Sequence, residues 1–331
     1  MLTIKLVSVA ALIAVVALAS PLVCQAQSAV PAYLAATAPA ESTAPAASSS
    51  KAVVEDAKKA EEEAKKSWVS GEVGIALTNA YIFNGLIQDK DTIIAQPYVT
   101  LNFMLYEGEG FLSDASFTLP FWASIHDINR PRPVNGSSSL KDWYELDISP
   151  GFSFTFAKNW SFTISDYIYT SPGDYFDTSH NLSLALEYDD SDLLGAFALH
   201  PHFYFQQELT SHAGLAYKNG IAYASDAPKG QYYEFGIAPG HTFAEKATYP
   251  VSISFPTSAG FGSSGFFGQG FGYFSTGAEV SIPLAFIPES YGSWTTSVSG
   301  RYYRLGSTAA FYTNSGDPDQ GVFSWTLGTE F

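Results

Sequence analysis

From residue 67 to the carboxyl end, large apolar side chains alternate with small or polar ones. Alternation with a period of two is typical of β-strands that have one apolar and one polar face. Clusters of Gly, Pro, Asn and Asp interrupt the alternation and mark turns. The pattern predicts about twelve strands, near residues 68–84, 92–106, 111–126, 142–156, 159–170, 178–189, 196–209, 230–243, 250–257, 272–286, 292–305 and 321–331. Residues 217–225 could form one more strand.

The last strand shows the alternation most clearly. Its large apolar side chains fall on one face: Phe323, Trp325, Leu327 and Phe331. A lipid-facing strand that ends the chain on phenylalanine points to a barrel of the bacterial outer membrane. The predicted fold class is therefore all-β: a transmembrane, antiparallel, up-and-down β-barrel of about 12 strands, preceded by a short helical or disordered extension.

The connections between the predicted strands differ in length. Every second connection is compact, as at 107–110, 157–158 and 190–195. The others are longer and rich in Pro, Asn, Ser or Gly: 127–141, 210–229, 258–271 and 306–320. Outer-membrane barrels have short periplasmic turns and longer external loops. A soluble β-sandwich would fit the composition but would show this asymmetry only by coincidence.

The amino-terminal segment has the features of an export signal. Lys5 precedes an apolar run over 6–19, and the small-residue pattern Cys24-Gln-Ala26 follows it. The run is shorter than the roughly 20 residues that span a bilayer, so we expect a signal peptide over 1–26 rather than an anchor. A lipidated Cys24 is the alternative, although Val23 is larger than the residue that normally precedes such a cysteine.

Two further segments separate the signal from the barrel. Residues 27–50 are mostly Ala, Ser and Pro, which predicts a flexible linker. Residues 51–66 are strong helix formers with Glu and Lys at helical spacing. We expect a solvated periplasmic helix there, with a coiled-coil or cell-wall contact as the alternative. The barrel then occupies 67–331.

Composition and charge narrow the class of protein. The chain is 46% hydrophobic, 15% aromatic and 15% charged, yet no apolar stretch after the signal is long enough for a transmembrane helix. Lys and Arg number 16 against 32 Asp and Glu, a formal charge of −16, which makes nucleic acid an unsuitable partner. Cys24 is the only cysteine, so an exported mature chain would have no disulfide.

Strand alternation also predicts which side chains face the lumen. If Tyr144, Leu146 and Ile148 face lipid, Glu145 and Asp147 face inward. The predicted pore-lining residues are Glu72, Asn102, Trp122, His126, Glu145, Asp147, Glu187, His200, His202, Glu234, Glu279 and Arg301. The glutamates at 145, 234 and 279 would lie at similar heights near the outer end. Any outer-membrane barrel has some charged side chains facing its lumen, so these residues could have no special role. Alternatively, they form an acidic pore that favours cations or binds solute hydroxyls.

These features favour a porin-like channel for passive diffusion of small polar or cationic solutes, located in the outer membrane with its amino-terminal segment in the periplasm. The expected partners are membrane lipids, lipopolysaccharide and the barrel assembly machinery, which would recognise Phe331. The alternatives are a barrel enzyme of the lipase, deacylase or protease type and a non-conducting structural or adhesive barrel. We expect no enzyme, because neither Ser179-His180 nor Ser211-His212 has surroundings typical of such enzymes.

No cofactor or metal is expected. His200-Pro-His202 places two imidazoles on one strand face, but no third ligand is apparent. The Gly-rich stretch 260–272 is not a phosphate loop, because no helix follows it. We expect it to be an external loop whose phenylalanines contact lipopolysaccharide or fold into the mouth of the barrel.

The segment Asn79-Ala-Tyr-Ile-Phe-Asn-Gly-Leu-Ile-Gln88 resembles a pattern near the start of Gcw_chp, an uncharacterised family of bacterial outer-membrane proteins. The matching positions are Tyr81, Phe83, Gly85 and Gln88, while Asn84 stands where the family usually has Arg. The resemblance implies a barrel and carries no catalytic residue or substrate.

Overall fold

The computed structural model describes residues 68–126, 140–210, 217–218, 221–222 and 229–331. The signal peptide 1–26, the linker 27–50 and the helix 51–66 lie outside the described residues, as do Ser211 and His212. Among the described residues, no helix combines the length and the apolarity needed to cross a bilayer.

Within these residues, twelve antiparallel strands close into one barrel, which confirms the predicted fold class and strand number. In chain order they are β1 (Val69–Phe83), β2 (Leu86–Glu107), β3 (Leu112–Ile125), β4 (Trp143–Ile148 and Gly151–Phe156), β5 (Trp160–Thr170), β6 (Ser179–Tyr188), β7 (His202–Glu208), β8 (Gln231–Ile237 and Gly240–Phe243), β9 (Val251–Ser254 and Thr257–Gly262), β10 (Phe271–Pro283), β11 (Ser293–Leu305) and β12 (Asp319–Glu330). Each strand pairs with the next along the chain.

The barrel closes between its first and last strands. β1 pairs with β12 from Glu72 opposite Glu330 to Thr78 opposite Ser324. Beyond that ladder, the backbone of Phe331 exchanges two hydrogen bonds with Gly71, at 3.0 and 2.9 Å. Closure leaves the sheet without a free edge. We call the end of the barrel that holds residues 69 and 331 the terminal end, and the opposite end the mouth.

The outer face carries an apolar band. Phe323 on β12, Val298 on β11 and Phe235 on β8 are exposed by 68%, 55% and 55% of their surface. Large apolar side chains exposed around a whole barrel would be unfavourable in water and are what a bilayer requires. Alternation along the same strands turns Ser, Thr and acidic side chains to the inside.

Short helices occupy some of the connections. At the terminal end, α1 (Ser191–Leu194) is followed by a 3₁₀ turn (Gly195–Phe197), and another 3₁₀ turn spans Glu289–Tyr291. At the mouth lie α2 (Ser264–Phe267) and α3 (Ser307–Thr313). Two-residue segments, Tyr217–Lys218 and Ile221–Ala222, pair only with each other, so the possible extra strand within 217–225 is not part of the barrel.

Three strand boundaries differ from the sequence predictions. β2 begins at Leu86 instead of 92, because Asn84 and Gly85 form a two-residue turn with φ of 45° and 82°. β7 begins at 202 instead of 196. β9 continues to Gly262, so part of the predicted Gly-rich loop is strand.

The late start of β7 has a local cause. The Asp190 carboxylate accepts hydrogen bonds from the backbone N–H groups of Leu199, at 2.9 and 3.1 Å, and of His200, at 2.9 Å. These bonds use donors that a strand would give to its neighbour. His200 also has a φ of 47°, outside the β region. Residues 196–201 are therefore a turn rather than the beginning of a strand.

Candidate functional site

The first hairpin leaves the barrel wall near the mouth. β1 is paired with β12 only as far as Thr78, and β2 is paired with β3 only from Ala95 onward. Between these points the two strands pair with each other alone, with register shifts next to Ala80 and Tyr81. We call residues 79–94 the plug hairpin.

Asn79 marks the place where the hairpin separates from the wall. Its Oδ1 accepts a hydrogen bond from the backbone N–H of Phe323 at 2.7 Å, and its Nδ2 donates to the carbonyl of Gly321 at 3.3 Å. The asparagine side chain thus replaces backbone partners that β12 loses when β1 turns away. These backbone groups of β12 therefore have hydrogen-bond partners where the hairpin leaves the wall.

The plug hairpin crosses the lumen. At its tip, Asn84 donates to Gln206 Oε1 at 3.2 Å, and β7, which carries Gln206, lies opposite β1 in the twelve-stranded barrel. Phe83 packs edge-on against Tyr169 of β5, with ring centroids 5.0 Å apart. Contacts with distant strands are possible only if the tip lies inside the barrel.

Polar bonds hold the sides of the hairpin. Tyr81 donates to Glu145 Oε2 of β4 at 2.7 Å, Tyr144 donates to Gln88 Oε1 at 2.8 Å, and Lys90 donates to Asn314 Oδ1 after α3 at 2.8 Å. Tyr144 therefore contacts the interior rather than lipid, which corrects the sequence expectation. The wall is irregular here, with a register shift between Ser124 and Ile125.

An apolar cluster seals the mouth around the hairpin. Phe266 and Phe267 of α2 are fully buried, and Ala309 and Ala310 of α3 are nearly so. They belong to one cluster with side chains of the hairpin and of the wall: Ala80, Ile82, Leu86, Ile87, Tyr232, Tyr273, Tyr303, Leu305 and Val322. Of the two expectations for the Gly-rich stretch, this burial agrees with phenylalanines folded into the mouth.

The hairpin tip leaves no room for a larger residue. A Cβ on Gly85 would overlap the ring of Tyr273, and its φ of 82° disfavours other residues. We expect Gly85→Ala to destabilise the barrel by about 1–3 kcal/mol through overpacking and strain, measured by urea unfolding in phospholipid vesicles. The matched control is Gly270→Ala, because the described structure places no atom within 4 Å of that position. Equal stability of the two variants would contradict the tip contact.

Two acidic clusters lie inside the barrel beside the hairpin. Glu145 and Asp147 on β4 are each 4% exposed, and Glu234 on β8 is 5% exposed. Glu234 accepts hydrogen bonds from the hydroxyls of Tyr232, at 2.6 Å, and Tyr273. Each of the two glutamates therefore has a phenol partner inside the barrel, since Tyr81 donates to Glu145.

The basic side chains near Glu234 differ in their contacts. His202 Nε2 lies 3.7 Å from Glu234 Oε1. Arg301 donates to Ser258 Oγ at 3.2 Å and lies 5.6 Å from the ring centre of Tyr303. Both side chains point into the lumen, and neither lies near the acids of β4 in the contacts of the described residues.

A half-buried polar vestibule occupies the terminal end of the lumen. Its predicted members Glu72, Asn102, Glu187 and Glu279 are all partly exposed. Glu72 stands directly opposite Glu330 on the same face, and it accepts a hydrogen bond from Thr100 at 3.2 Å. Like charges directly opposite each other weaken a strand pair, so their presence suggests a role other than stability.

Glu279 is not at the height of Glu145 and Glu234, contrary to expectation. It pairs with Ser254 and Ser299, whereas the wall residue that contacts Glu234 is Tyr273, closer to the mouth on the same strand. The prediction places Glu145, Glu234 and Glu279 each near the start of its strand. However, β10 begins at Phe271, so Glu279 lies eight residues after the start of its strand. Glu279 therefore belongs with the vestibule.

The two histidines of the His200-Pro-His202 pattern do not share a site. His202 faces the lumen on β7, whereas His200 lies in the preceding turn, with its Nδ1 3.5 Å from Asp189 Oδ1. His200 is therefore not pore-lining. Hydrogen bonding from Ser191 holds the pKa of Asp189 below its ordinary value. Asp189, Asp190 and His200 lie within 4.8 Å of one another, but the Asp190 oxygens are engaged by backbone N–H groups.

His126 belongs to an arrangement that sequence reasoning missed. Its Nε2 lies 2.6 Å from Ser124 Oγ, and its Nδ1 lies 3.1 Å from Asp89 Oδ2. This is the connectivity of a Ser–His–Asp hydrolase. Ser124 and His126 are two residues apart on one strand face, and this spacing is visible in the sequence. Asp89 lies near them only because the hairpin folds inward. Ser124 is fully buried, so here the three groups tie the hairpin to β3.

The remaining predicted residue, Trp122, is half-buried on β3 with its ring 5.3 Å from that of Tyr81.

The other Ser–His candidate does not form a dyad within the described residues. Ser179 is buried, whereas His180 faces outward on the same strand and pairs with Asp166 at 2.9 Å.

A closed antiparallel barrel with an apolar outer band and a polar interior defines a transmembrane β-barrel of the outer-membrane type. Among the solved structures similar to this chain are a porin, an autotransporter domain and an outer-membrane channel. The NanC porin matches with a TM-score of 0.40 and 9% identity over 78% of this chain and 98% of NanC. The β domain of the Bordetella autotransporter BrkA gives 0.44 and 15%, with coverage of 80% and 98%. The COG4313 outer-membrane channel of Pseudomonas putida F1 gives 0.39 and 12%, with coverage of 80% and 95%.

No protein-family model matches the chain, so the resemblance of Asn79–Gln88 to the Gcw_chp pattern does not extend to a match of that family. No curated protein matches it either. With identities this low, the function has to be argued from the residues of the chain itself.

Proposed function

We propose that this barrel is a gated outer-membrane channel for small polar or cationic solutes, and that the plug hairpin is its gate. In this arrangement the mouth faces outward and the terminal end faces the periplasm, together with residues 27–66. The observation that carries the proposal is the departure of the hairpin from the wall at Thr78 and Ala95. A segment that shares no ladder with its neighbours can move without opening the barrel.

The separation of the hairpin from the wall ladders, rather than weak contacts, supports a gate over a permanent filling. Side-chain hydrogen bonds, such as Tyr81 to Glu145 and Asn84 to Gln206, anchor its tip and sides. Its apolar side chains pack in the cluster at the mouth. A barrel with a purely structural role has no need of a polar vestibule below such a segment.

The charges of the lumen support a preference for cations. The inward acids of the described residues include Glu72, Glu145, Asp147, Glu187, Glu208, Glu234, Glu279 and Glu330, together with Asp89 on the hairpin. Against them stand Arg301 and, on the hairpin, Lys90. Rings of acidic side chains attract cations and exclude anions. The solute that passes would therefore be neutral and polar, or positively charged.

Selectivity is testable in a planar bilayer under a KCl gradient. We expect openings of the full mature chain to show a cation-selective reversal potential. The triple variant Glu72→Gln, Glu279→Gln and Glu330→Gln is expected to shift that potential toward zero by about half. The control is Glu109→Gln, at an exposed position in the connection between β2 and β3. Anion selectivity, or equal potentials for all three proteins, would contradict an acidic pore.

The proposed orientation in the membrane also indicates which partners the barrel would contact. The apolar band would contact acyl chains and, at the mouth, lipopolysaccharide. Phe331 at the end of the chain would be recognised by the barrel assembly machinery, and residues 51–66 could contact the cell wall.

A serine hydrolase is the second candidate, favoured by the Ser124, His126 and Asp89 contacts. It would require the hairpin to move far enough to expose Ser124 while Asp89 stays in place. A fluorophosphonate probe that labels the folded barrel, and loses its target in Ser124→Ala, would establish the hydrolase. The channel proposal predicts no labelling that depends on Ser124.

A further inference from the structure

We propose that the inner wall formed by β1 to β4, just below the plug hairpin, binds the ammonium group of a small solute that also carries an oxygen acceptor, such as an amino alcohol or amino acid. The site consists of Gln96, Trp122, Glu145 and Asp147, and we call it the acid pocket. It deepens the proposed function by naming a solute class, and it rests on that function only for its physiological purpose.

Unpartnered polar atoms identify the pocket. Among the described residues, Gln96 Oε1 and Asp147 Oδ1 are buried and make no hydrogen bond. The two residues are 0% and 4% exposed. Buried acceptors in folded proteins almost always have a donor, so the donor here, from water or from a solute, comes from outside the chain.

The strand register brings these groups to one part of the wall. Trp122 lies directly opposite Asp147, and Ser124 directly opposite Glu145, between β3 and β4. Gln96 on β2 donates to Ser124 Oγ at 3.3 Å.

Tyr81 spans the pocket from above. Its hydroxyl reaches Glu145 at 2.7 Å, and its ring lies 5.3 Å from that of Trp122. The hairpin therefore forms the roof of the pocket. Trp122 is only half-buried, so the lower rim adjoins the vestibule.

The pocket lacks a cation of its own. The carboxyl groups of Glu145 and Asp147 lie within hydrogen-bonding distance of each other, so one proton shared between them leaves the pair with a single negative charge. That charge still needs a positive partner. Arg301 binds Ser258 on the far side of the lumen, and Lys90 binds Asn314 near α3. Neither of these side chains contacts Glu145 or Asp147 in the described structure.

An ammonium group fits what the pocket offers. Its N–H groups supply donors for Asp147 Oδ1 and Gln96 Oε1, and the faces of Trp122 and Tyr81 attract cations. The indole Nε1 of Trp122 is an unpartnered buried donor, which calls for an acceptor close to the charge. A bare metal ion would leave that donor unsatisfied, whereas a hydroxyl or carboxylate next to the ammonium group would accept from it.

Binding can be measured without ion flow. The probe is 2-aminoethanol, titrated against the folded mature barrel in detergent by saturation-transfer NMR, with 1,2-ethanediol as its neutral counterpart. We expect 2-aminoethanol to bind and 1,2-ethanediol not to bind. Asp147→Asn should weaken binding by about tenfold or more, because it removes the charge and keeps the shape. The matched control is Glu187→Gln, another lumen acid, on β6, which should stay within about twofold of the natural protein.

Two results would overturn the acid pocket: similar binding of 1,2-ethanediol, or unchanged binding by Asp147→Asn. Heat-modifiable mobility on a gel verifies that each variant is a folded barrel, and Glu145→Gln serves in place of an Asp147 variant that does not fold. Binding without conductance would contradict the proposed channel and support the acid pocket. Conductance without binding would support the channel and contradict the acid pocket.

Discussion

Shortening the first hairpin is expected to raise the single-channel conductance about tenfold or more, because it removes the segment that crosses a lumen otherwise wide enough for a narrow pore. The variant replaces residues 80–92 by a two-residue Asn-Gly turn. The ladder from Thr78 to Ile94 remains, as does the capping side chain of Asn79. Conductance in a planar bilayer at fixed KCl concentration is the measurement.

The control keeps the hairpin and changes an exposed side chain on it. Ile93→Ala is suitable, since Ile93 is 55% exposed, and it should conduct like the natural protein. Heat-modifiable mobility on a gel shows whether the shortened barrel is folded. A folded, shortened barrel that conducts no more than the natural protein would show that the hairpin does not limit the pore.

The second large effect concerns the apolar seal at the mouth. Phe266→Ala is expected to lower the free energy of unfolding by about 3–5 kcal/mol, because the ring is fully buried and the cavity would be bounded by rigid neighbours. Tyr232 and Phe267 lie against that ring, at 5.4 and 4.9 Å between centroids. Urea or guanidinium unfolding of the barrel in phospholipid vesicles measures the change.

Phe271→Ala provides the comparison. Phe271 begins β10 next to the same loop but is 40% exposed, so its truncation should cost clearly less. Equal losses for the two variants would mean that α2 does not fill the mouth in solution. A rise in leak current in Phe266→Ala alone would also fit a seal at this position.

The wall of the barrel was predictable from the sequence because alternation reports directly on a two-faced strand. Phe323 and Trp325 on the last strand lie on the exposed face as expected, and Glu145 and Asp147 face inward. Closure followed from the same pattern, since a strand with lipid on one side needs neighbours on both edges. The register between distant strands, which sets the height of Glu279, is not encoded in alternation.

The plug hairpin could not be predicted in this way. A hairpin inside a barrel alternates much as a hairpin in the wall does, so the period does not distinguish them. The Asn84-Gly85 dipeptide is a strong turn signal and could have placed the start of β2 at residue 86. The consecutive burial of Ala80, Tyr81 and Ile82 is the structural sign that both faces are covered.

The contacts of His126 were hidden for the same reason. Ser124 and His126 lie on one strand, but their partner Asp89 is on the hairpin, and only its inward fold brings the carboxylate to 3.1 Å from the ring. The inward position of Tyr144 also depends on the hairpin, because Gln88 accepts its hydroxyl. The sequence predictions were wrong or incomplete where the inward fold of the hairpin changed the surroundings of several residues.

In the proposed gate, the hairpin tip closes the lumen by binding the opposite wall. The most direct test joins Asn84→Cys to Gln206→Cys with a reversible bis-methanethiosulfonate cross-linker and follows the current through one bilayer before and after reduction. Cys24 is the only natural cysteine, so a chain cleaved after residue 26, as the sequence predicts, would offer no competing thiol. Ser153→Cys with Thr163→Cys, whose hydroxyls are 2.7 Å apart in the wall, is the matched control. We predict that the tip cross-link abolishes openings and reduction restores them, whereas the wall cross-link changes nothing. Equal currents with the tip cross-linked and free would show that the tip does not close the lumen.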